Sequence, residues 1–243
     1  MSLVSILKIA CIGLNTAVLA PVIAAVAAVD ERQSWWLSQV WAQVNLWTSG
    51  VRVRVHFAGA LDPNAPYVFM SNHRSHFDVL ALAVGLDQFQ LRWVAKKELT
   101  RVPIFGWALR HTGHVIVDRG DHAQAMASMR AAEEKMRSGI SVIIFPEGTR
   151  APTDDALLPF KRGGFVLAHE TGIPIVPVGV RGSRAVLPPH GRDIAAGEIE
   201  VVVGTPIEVE GRDLEELMAV VRSHIERLAS ERAAAEPPRA EAS

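Results

Sequence analysis

Apolar residues fall along this 243-residue chain in three rhythms: an unbroken run, alternation by two, and recurrence every three or four positions. The unbroken run comes first. Ile9 to Val29 carries no charge between Lys8 and Asp30, and Asn15 is its most polar member. As a helix it would reach about 31 Å at ~1.5 Å per residue, enough to cross the hydrocarbon core of a bilayer. Pro21 stands in the middle and would kink or split such a helix, so spanning and one-leaflet arrangements both fit. From Ser34 to Gly50, Trp35, Trp36, Trp41 and Trp47 are interleaved with Gln and Ser. Tryptophan suits a membrane interface because its ring is apolar while its N–H seeks a polar partner, though the same stripe could pack on a domain core. Ala25-Val26-Ala27 resembles the end of a signal peptide, but the run exceeds the ~7 to 15 residues of a signal core, so residues 1–49 are expected to be a retained membrane anchor with an interfacial helix.

Alternation by two begins at Val51, where Val-Arg-Val-Arg-Val-His-Phe predicts a half-exposed strand at a sheet edge. Further apolar strands are predicted at Tyr67–Ser71, Leu91–Ala95, His114–Val117, Val142–Phe145, Ile175–Val180 and Ile199–Val203. Helical spacing separates several of them. One helix is predicted from a cap at Asp121 to just before Gly139, with Ala125, Met129, Ala132 and Met136 on one face. Another is predicted from about Asp213, where Leu214, Leu217, Met218, Val221, Ile225 and Leu228 recur at three- and four-residue steps. The pattern implies an α/β domain over 50–231: a mixed, mostly parallel sheet covered by helices, preceded by the membrane-associated helical element. Residues 232–243 are too polar and proline-broken to bury surface and are expected to fray.

Composition narrows the function by exclusion. Twenty-five Lys and Arg against twenty-six Asp and Glu leave a net charge of −1, giving no case for nucleic acid. Local charge is less even: Arg92, Lys96, Lys97, Arg101, Arg110 and Arg119 face only Glu98 and Asp118 over that stretch, a set that could meet phosphates or simply form a solvated face. Cys11 is the only cysteine, so disulfide frameworks, Cys-rich zinc sites and a catalytic thiol are poorly supported. No metal site is expected, since His111 and His114 lack further ligands and His169-Glu170 lacks a second histidine.

Two segments carry chemistry. In Asn72-His73-Arg74-Ser75-His76-Phe77-Asp78, His73 and Asp78 are too far apart in phase to pair on one helical face. If His73 lies in the loop leaving a strand and Ser75 caps a helix starting at His76, Asp78 falls in the first turn and can point back at the imidazole. The carboxylate would then orient the ring, leaving its other nitrogen to take a proton from a substrate hydroxyl. The same residues also read as a capping box, in which Asp78 only accepts backbone N–H bonds. The second segment, Phe145-Pro146-Glu147-Gly148-Thr149-Arg150, follows a strand and combines a close turn with a hydroxyl and a guanidinium, a set suited to phosphate. Glu147 fits there only by holding an arginine or accepting a substrate hydroxyl. Phe160-Lys161-Arg162-Gly163-Gly164 adds cations ahead of another helix. With no G-x-S-x-G elbow, G-x-x-x-x-G-K-[ST] loop or G-x-G-x-x-G fingerprint, a lone His–Asp pair favours direct attack by an activated substrate.

From roughly Val51 to Glu208 these residues resemble the glycerolipid acyltransferase family typified by 1-acyl-sn-glycerol-3-phosphate acyltransferase. Asn72-His73-x-Ser75-x-x-Asp78 is similar to that family's N-H-x-S-x-x-D, Gly113–Arg119 to its G-x-I-F-I-D-R, Phe145–Arg150 is the same as F-P-E-G-T-R, and Val176-Pro177-Val178 stands where an apolar-proline block is found. Ala151 departs from the serine that commonly follows the third block. The resemblance implies transfer of an acyl group from a thioester, acyl-CoA or acyl carrier protein, to the sn-2 hydroxyl of a lysophospholipid, giving phosphatidic acid without an acyl-enzyme or added cofactor. It implies His73 as general base and Asp78 as its orienter, with Arg119, Glu147, Gly148, Thr149 and Arg150 on the acceptor's phosphoglycerol head. Lys96, Lys97, Lys161 and Arg162 are softer candidates for phosphate or donor contacts. A membrane location with the catalytic domain on the cytoplasmic face is expected. Another lysolipid acceptor such as a lyso-aminolipid, a non-catalytic lipid-binding protein and a thioesterase are the alternatives.

Overall fold

A computed structural model describes residues 1–118, 120, 122–153 and 156–230. In chain order it contains α1 (Leu3–Val29), α2 (Glu31–Ser49), β1 (Val51–Phe57), β2 (Val68–Ser71), α3 (Phe77–Gly85), β3 (Leu91–Lys96), a 3-10 turn (Lys97–Arg101) and α4 (Phe105–His111). Then follow β4 (Val115–Val117), α5 (His122–Arg137), β5 (Ser141–Ile144), α6 (Gly163–Thr171), β6 (Ile175–Arg181), α7 (Ser183–Val186), β7 (Gly197–Val203) and α8 (Leu214–Ser230). All seven predicted strands are present. The helix caps expected at Asp121 and the tail over 232–243 lie, respectively, at and within positions outside the described residues.

The strands form one sheet in the order β1-β7-β6-β2-β5-β3-β4, parallel throughout except for β6 against β7. The alternating strand β1 takes an edge, as its exposed arginines require. The central strand β2 is buried on both faces, and its period of two divides its side chains between two cores. Phe69 packs with Leu82, Ile143 and Val201 beneath α2 and α3, while Val68 and Met70 pack with Val142, Phe165 and Leu217 beneath α5, α6 and α8.

The amino-terminal element is a helical hairpin that shares this core. α1 runs unbroken through Pro21, and Asp30 alone makes the corner, with extended backbone and a side chain accepting from the N–H groups of Arg32 and Gln33. Asn15, the polar member of the apolar run, donates from Nδ2 to Asn45 Oδ1 (2.8 Å) and to the Trp41 carbonyl (3.1 Å), zipping the two helices. The tryptophans divide by face: Trp35 is 3% exposed and joins the core, whereas Trp36 and Trp47 are 61% and 77% exposed. Most of α1 also presents apolar side chains outward, including Leu7, Leu14 and Val18. It is long and apolar enough to cross a membrane, yet both its ends hold the rest of the molecule. Lys8 Nζ donates to the Ile194 carbonyl and Ile194 N–H to Ser5 Oγ at one end, and Ala20 and Ala24 pack on Ala108 of α4 toward the other.

At the hairpin corner the first basic residue of the Arg92–Arg119 stretch proves to be neither a phosphate contact nor a solvated charge. Arg92 is buried, donating from Nε to Glu31 Oε1 (2.8 Å) and from Nη2 to the Glu31 carbonyl (2.7 Å), while Lys135 Nζ of α5 donates to both oxygens of the same carboxylate. Partial burial would raise the Glu31 pKa, but the bonds from Lys135 and Arg92 outweigh it and hold the group below its ordinary value. Glu31→Gln removes the charge opposing a buried guanidinium. It should lower stability by about 3 kcal/mol, read as a fall in the urea midpoint at unchanged slope.

Candidate active site

Parallel β2, β5 and β6 lie side by side, so the loops leaving their carboxyl ends open on one edge of the sheet, where ligands bind in such folds. The loop after β2 carries His73 and the loop after β5 carries Glu147 to Arg150. Asn72 fixes the first loop to β6: its Oδ1 accepts from Val180 N–H (2.7 Å) and its Nδ2 donates to the Val180 carbonyl (2.8 Å).

His73 Nδ1 donates to Asp78 Oδ2 at 2.8 Å, and the same oxygen accepts from the N–H groups of Arg74 (2.7 Å) and Ser75 (2.8 Å). The pairing and the capping readings of this segment therefore hold together, since one carboxylate oxygen does both. The helix starts at Phe77, one residue later than expected, with Ser75 Oγ accepting from Phe77 N–H. The imidazole lies flat on Phe145, ring centroids 3.9 Å apart and planes within 10°, so its orientation is set from two sides. With Nδ1 committed to the fully buried Asp78, Nε2 is the nitrogen left for a reacting group.

His73 looks into a cavity of about 410 Å³. Gly148, Thr149 and Arg150 line it too, their loop joined to His73 where Ala151 N–H donates to the His73 carbonyl (2.9 Å), and Arg150 Nη1 donates to the Pro189 carbonyl (2.8 Å); the rest is mainly apolar, reaching Ala83, Trp93 and Leu109 of the domain and Ala20 and Ile23 of α1. His76 also lines it; burial, then the charges of Arg150 and His73, push its pKa down to about 4, so it is neutral at pH 7. His114 accepts the Trp93 N–H at Nδ1 (3.2 Å), and burial followed by the charge of Arg92 pushes it down to about 3.

The acyltransferase family model, described simply as Acyltransferase, matches residues 52–181, and so spans β1 through β6 together with both loops. The chain belongs to this family. It is 32% identical over 178 residues to the 1-acyl-sn-glycerol-3-phosphate acyltransferase of Pseudomonas aeruginosa, covering 71% of this chain and 67% of that protein. With the alpha form of Homo sapiens it shares 34% over 163 residues, 67% of this chain and 57% of the other. With the chloroplastic BAT2 protein of Brassica napus it shares 29% over 180 residues, 74% of this chain but only about half (52%) of the relative. In fold it matches the 1-acyl-sn-glycerophosphate (LPA) acyltransferase PlsC of Thermotoga maritima, with a TM-score of 0.78 over 93% of this chain and 92% of that one at 21% identity.

Within this acyltransferase-family site, the residues singled out from sequence separate into three groups. His73, Gly148, Thr149, Arg150 and Lys96 meet at the cavity. Lys96 also pairs with Glu98 (3.3 Å), and Lys97 pairs with Asp118 (2.7 Å). Lys161 is exposed and does not line the cavity, and Arg162 pairs with Glu215 (3.3 Å) on α8. Arg119 lies outside the described residues.

Of the two readings of Glu147, the structure displays the one in which it holds an arginine: it is 2% exposed and both its oxygens are bonded inside the protein. Oε1 accepts from His73 N–H (2.9 Å) and Oε2 from Leu158 N–H (2.8 Å), while Arg74 Nη1 bonds both at 2.9 and 3.0 Å. Arg74, which sequence reasoning passed over as a variable position between two motif residues, is thus the buried partner of Glu147. A pairing across 73 positions leaves no local signature. Glu147→Ala would strand the Arg74 guanidinium in the interior. It should cost about 3 to 5 kcal/mol, measurable as a lowered denaturation midpoint.

Proposed function

We propose that the protein transfers an acyl group from a thioester to the sn-2 hydroxyl of 1-acyl-sn-glycerol-3-phosphate, with His73 as general base. The observation that carries this reading is the 2.8 Å His73–Asp78 pair opening onto a cavity that also has Arg150 in its lining, with apolar walls beyond. In this reading Nε2 takes the proton of the acceptor hydroxyl as its oxygen attacks the thioester carbonyl carbon. The resulting tetrahedral adduct expels the thiolate, which recovers the proton from the imidazolium, while Asp78 stabilises that cation and holds its tautomer. The stacked Phe145 keeps the ring from turning away. Neutral His76 adds no second charge beside His73, and Arg150, together with the Gly148–Thr149 turn, receives the acceptor's phosphate. The apolar remainder of the cavity holds acyl chain.

The outward apolar face of α1, with Trp36 and Trp47, supports attachment to the membrane where such acceptors reside. Because both ends of α1 bind the domain, an arrangement along one leaflet fits better than a span. Residues 1–49 would then hold the protein at the bilayer, with the chemistry carried by 50–231 on the cytoplasmic side, where acyl-CoA or acyl carrier protein is available.

Thiol release from acyl-CoA or acyl carrier protein, with and without lysophosphatidic acid and with lipid products identified, tests the reaction. Wild type should release thiol only with acceptor, forming phosphatidic acid, and His73→Ala should lose roughly 10² to 10⁴ in rate. Acceptor-independent release would instead show hydrolysis, and full turnover by His73→Ala would remove the proposed base. Arg150→Ala should weaken acceptor binding by about 1.5 to 3 kcal/mol, measured as a raised acceptor Kd; an unchanged Kd would take the phosphate away from this residue.

A further inference from the structure

After α1, seven large hydrophobic side chains are exposed among the described residues, and four of them fall within the short loop from the 3-10 turn into the first turn of α4: Leu99 (39%), Val102 (45%), Ile104 (45%) and Trp107 (43%). Scattered single apolar residues are ordinary on a surface, but such a cluster marks an interaction site. We propose that the segment Lys96–His111 is a second membrane-inserting element, which enters an anionic bilayer surface through these four residues and opens the cavity to the lipid.

The loop is held in shape rather than loosely draped. Ile104 is the only non-glycine residue with positive φ among those described (φ 61, ψ −61), a conformation that is strained for a β-branched side chain. Gly106 packs so closely on the Thr100 and Leu99 carbonyls that a side chain there would collide with backbone, and its N–H donates to the Val102 carbonyl (2.7 Å). The Gly106 contacts thus hold a strained loop that turns Ile104 outward, where a water-facing role would favour Gly or Asn.

Charge identifies the partner. Lys97 pairs with Asp118 and Lys96 with Glu98, and Arg101 adds its field to both carboxylates, while Arg110 bonds the Thr100 carbonyl; four cations thus face two carboxylates, an excess of two positive charges among apolar residues. Arginine beside Trp, Ile, Val and Leu is the composition of a segment seated at an anionic interface. The location agrees, because α4 packs Ala108 directly on Ala20 and Ala24 of α1. Lys96 and Leu99 line the cavity and are also exposed, so its rim lies within the loop. A lipid acceptor could then enter from the bilayer without crossing water. The inference rests on the membrane attachment proposed above, and its test is independent of turnover.

Full-length protein carrying Cys11→Ser and Ile104→Cys, labelled with a nitrobenzoxadiazole fluorophore, would be mixed with phosphatidylcholine vesicles with or without phosphatidylglycerol. A blue shift and quenching by acyl-chain-brominated lipid are expected at position 104, stronger with phosphatidylglycerol. A label at Glu210→Cys, ahead of α8, should show neither. Vesicle flotation without quenching at 104 would overturn the loop's role while sparing the α1 anchor, and failure to float would overturn both. Equal quenching with both lipid mixtures would overturn the part given to Arg101 and Arg110. Ile104→Gly supplies a second measurement, since it relaxes the backbone yet removes the inserted side chain. It should raise Tm while weakening partition onto anionic vesicles roughly threefold; a stabilised variant with wild-type partition would show that Ile104 does not enter the lipid.

Discussion

One buried carboxylate joins the two loops on which the site depends. Glu147 sits under the loop after β5 but bonds the His73 backbone N–H and the Arg74 guanidinium of the loop after β2. Two charges in the interior are tolerable only when their remaining hydrogen-bond capacity is met, and here Leu158 N–H serves the carboxylate while the His73 and Ala156 carbonyls serve the guanidinium. The outcome is a rigid bridge between neighbouring parallel strands. It explains why His73 needs no contact with Glu147 through its ring: the backbone is positioned first, and Asp78 and Phe145 then orient the imidazole.

A second, partly buried ion cluster does comparable work at the hairpin corner. Glu31, Arg92 and Lys135 bind the hairpin corner to β3 and α5, and the hairpin in turn supplies cavity wall through Ala20, Ile23 and Trp35. The apolar hairpin is therefore built into the wall of the cavity. In the function proposed above, membrane attachment and catalysis share one structure, because the same helices face outward with Leu14 and Val18 and inward with Ile23 and Trp35. Alternate faces of a helix permit this without extra domains.

Periodicity is a local property, and it made much of the architecture legible. The seven strands and α5 and α8 were readable because spacing by two or by three and four reports burial directly, and β1 was readable as an edge from its alternating arginines. The short α4 and the 3-10 turn escaped, since a single turn carries too few positions to show a period. The chemistry was legible where a motif is contiguous: five positions with a capping residue between them offered the His73–Asp78 pair as one of two readings, and the structure combines both on one carboxylate oxygen.

Local pattern was enough for the α/β class, the order of the strands along the chain, the apolar amino-terminal element and a set of candidate residues for proton and phosphate chemistry. Which of those residues meet was settled only by folding. Glu147 went inward and Lys161 outward, Arg92 became the anchor of a helix corner, and Arg74 emerged as a partner across 73 positions. Strand order in the sheet, unlike strand order in the chain, depends on non-local pairing, and so does the destination of every charge. A carboxylate is a ligand group or a structural one according to whether folding leaves its oxygens open to solvent or fills them with N–H donors, and no window of neighbouring residues contains that information.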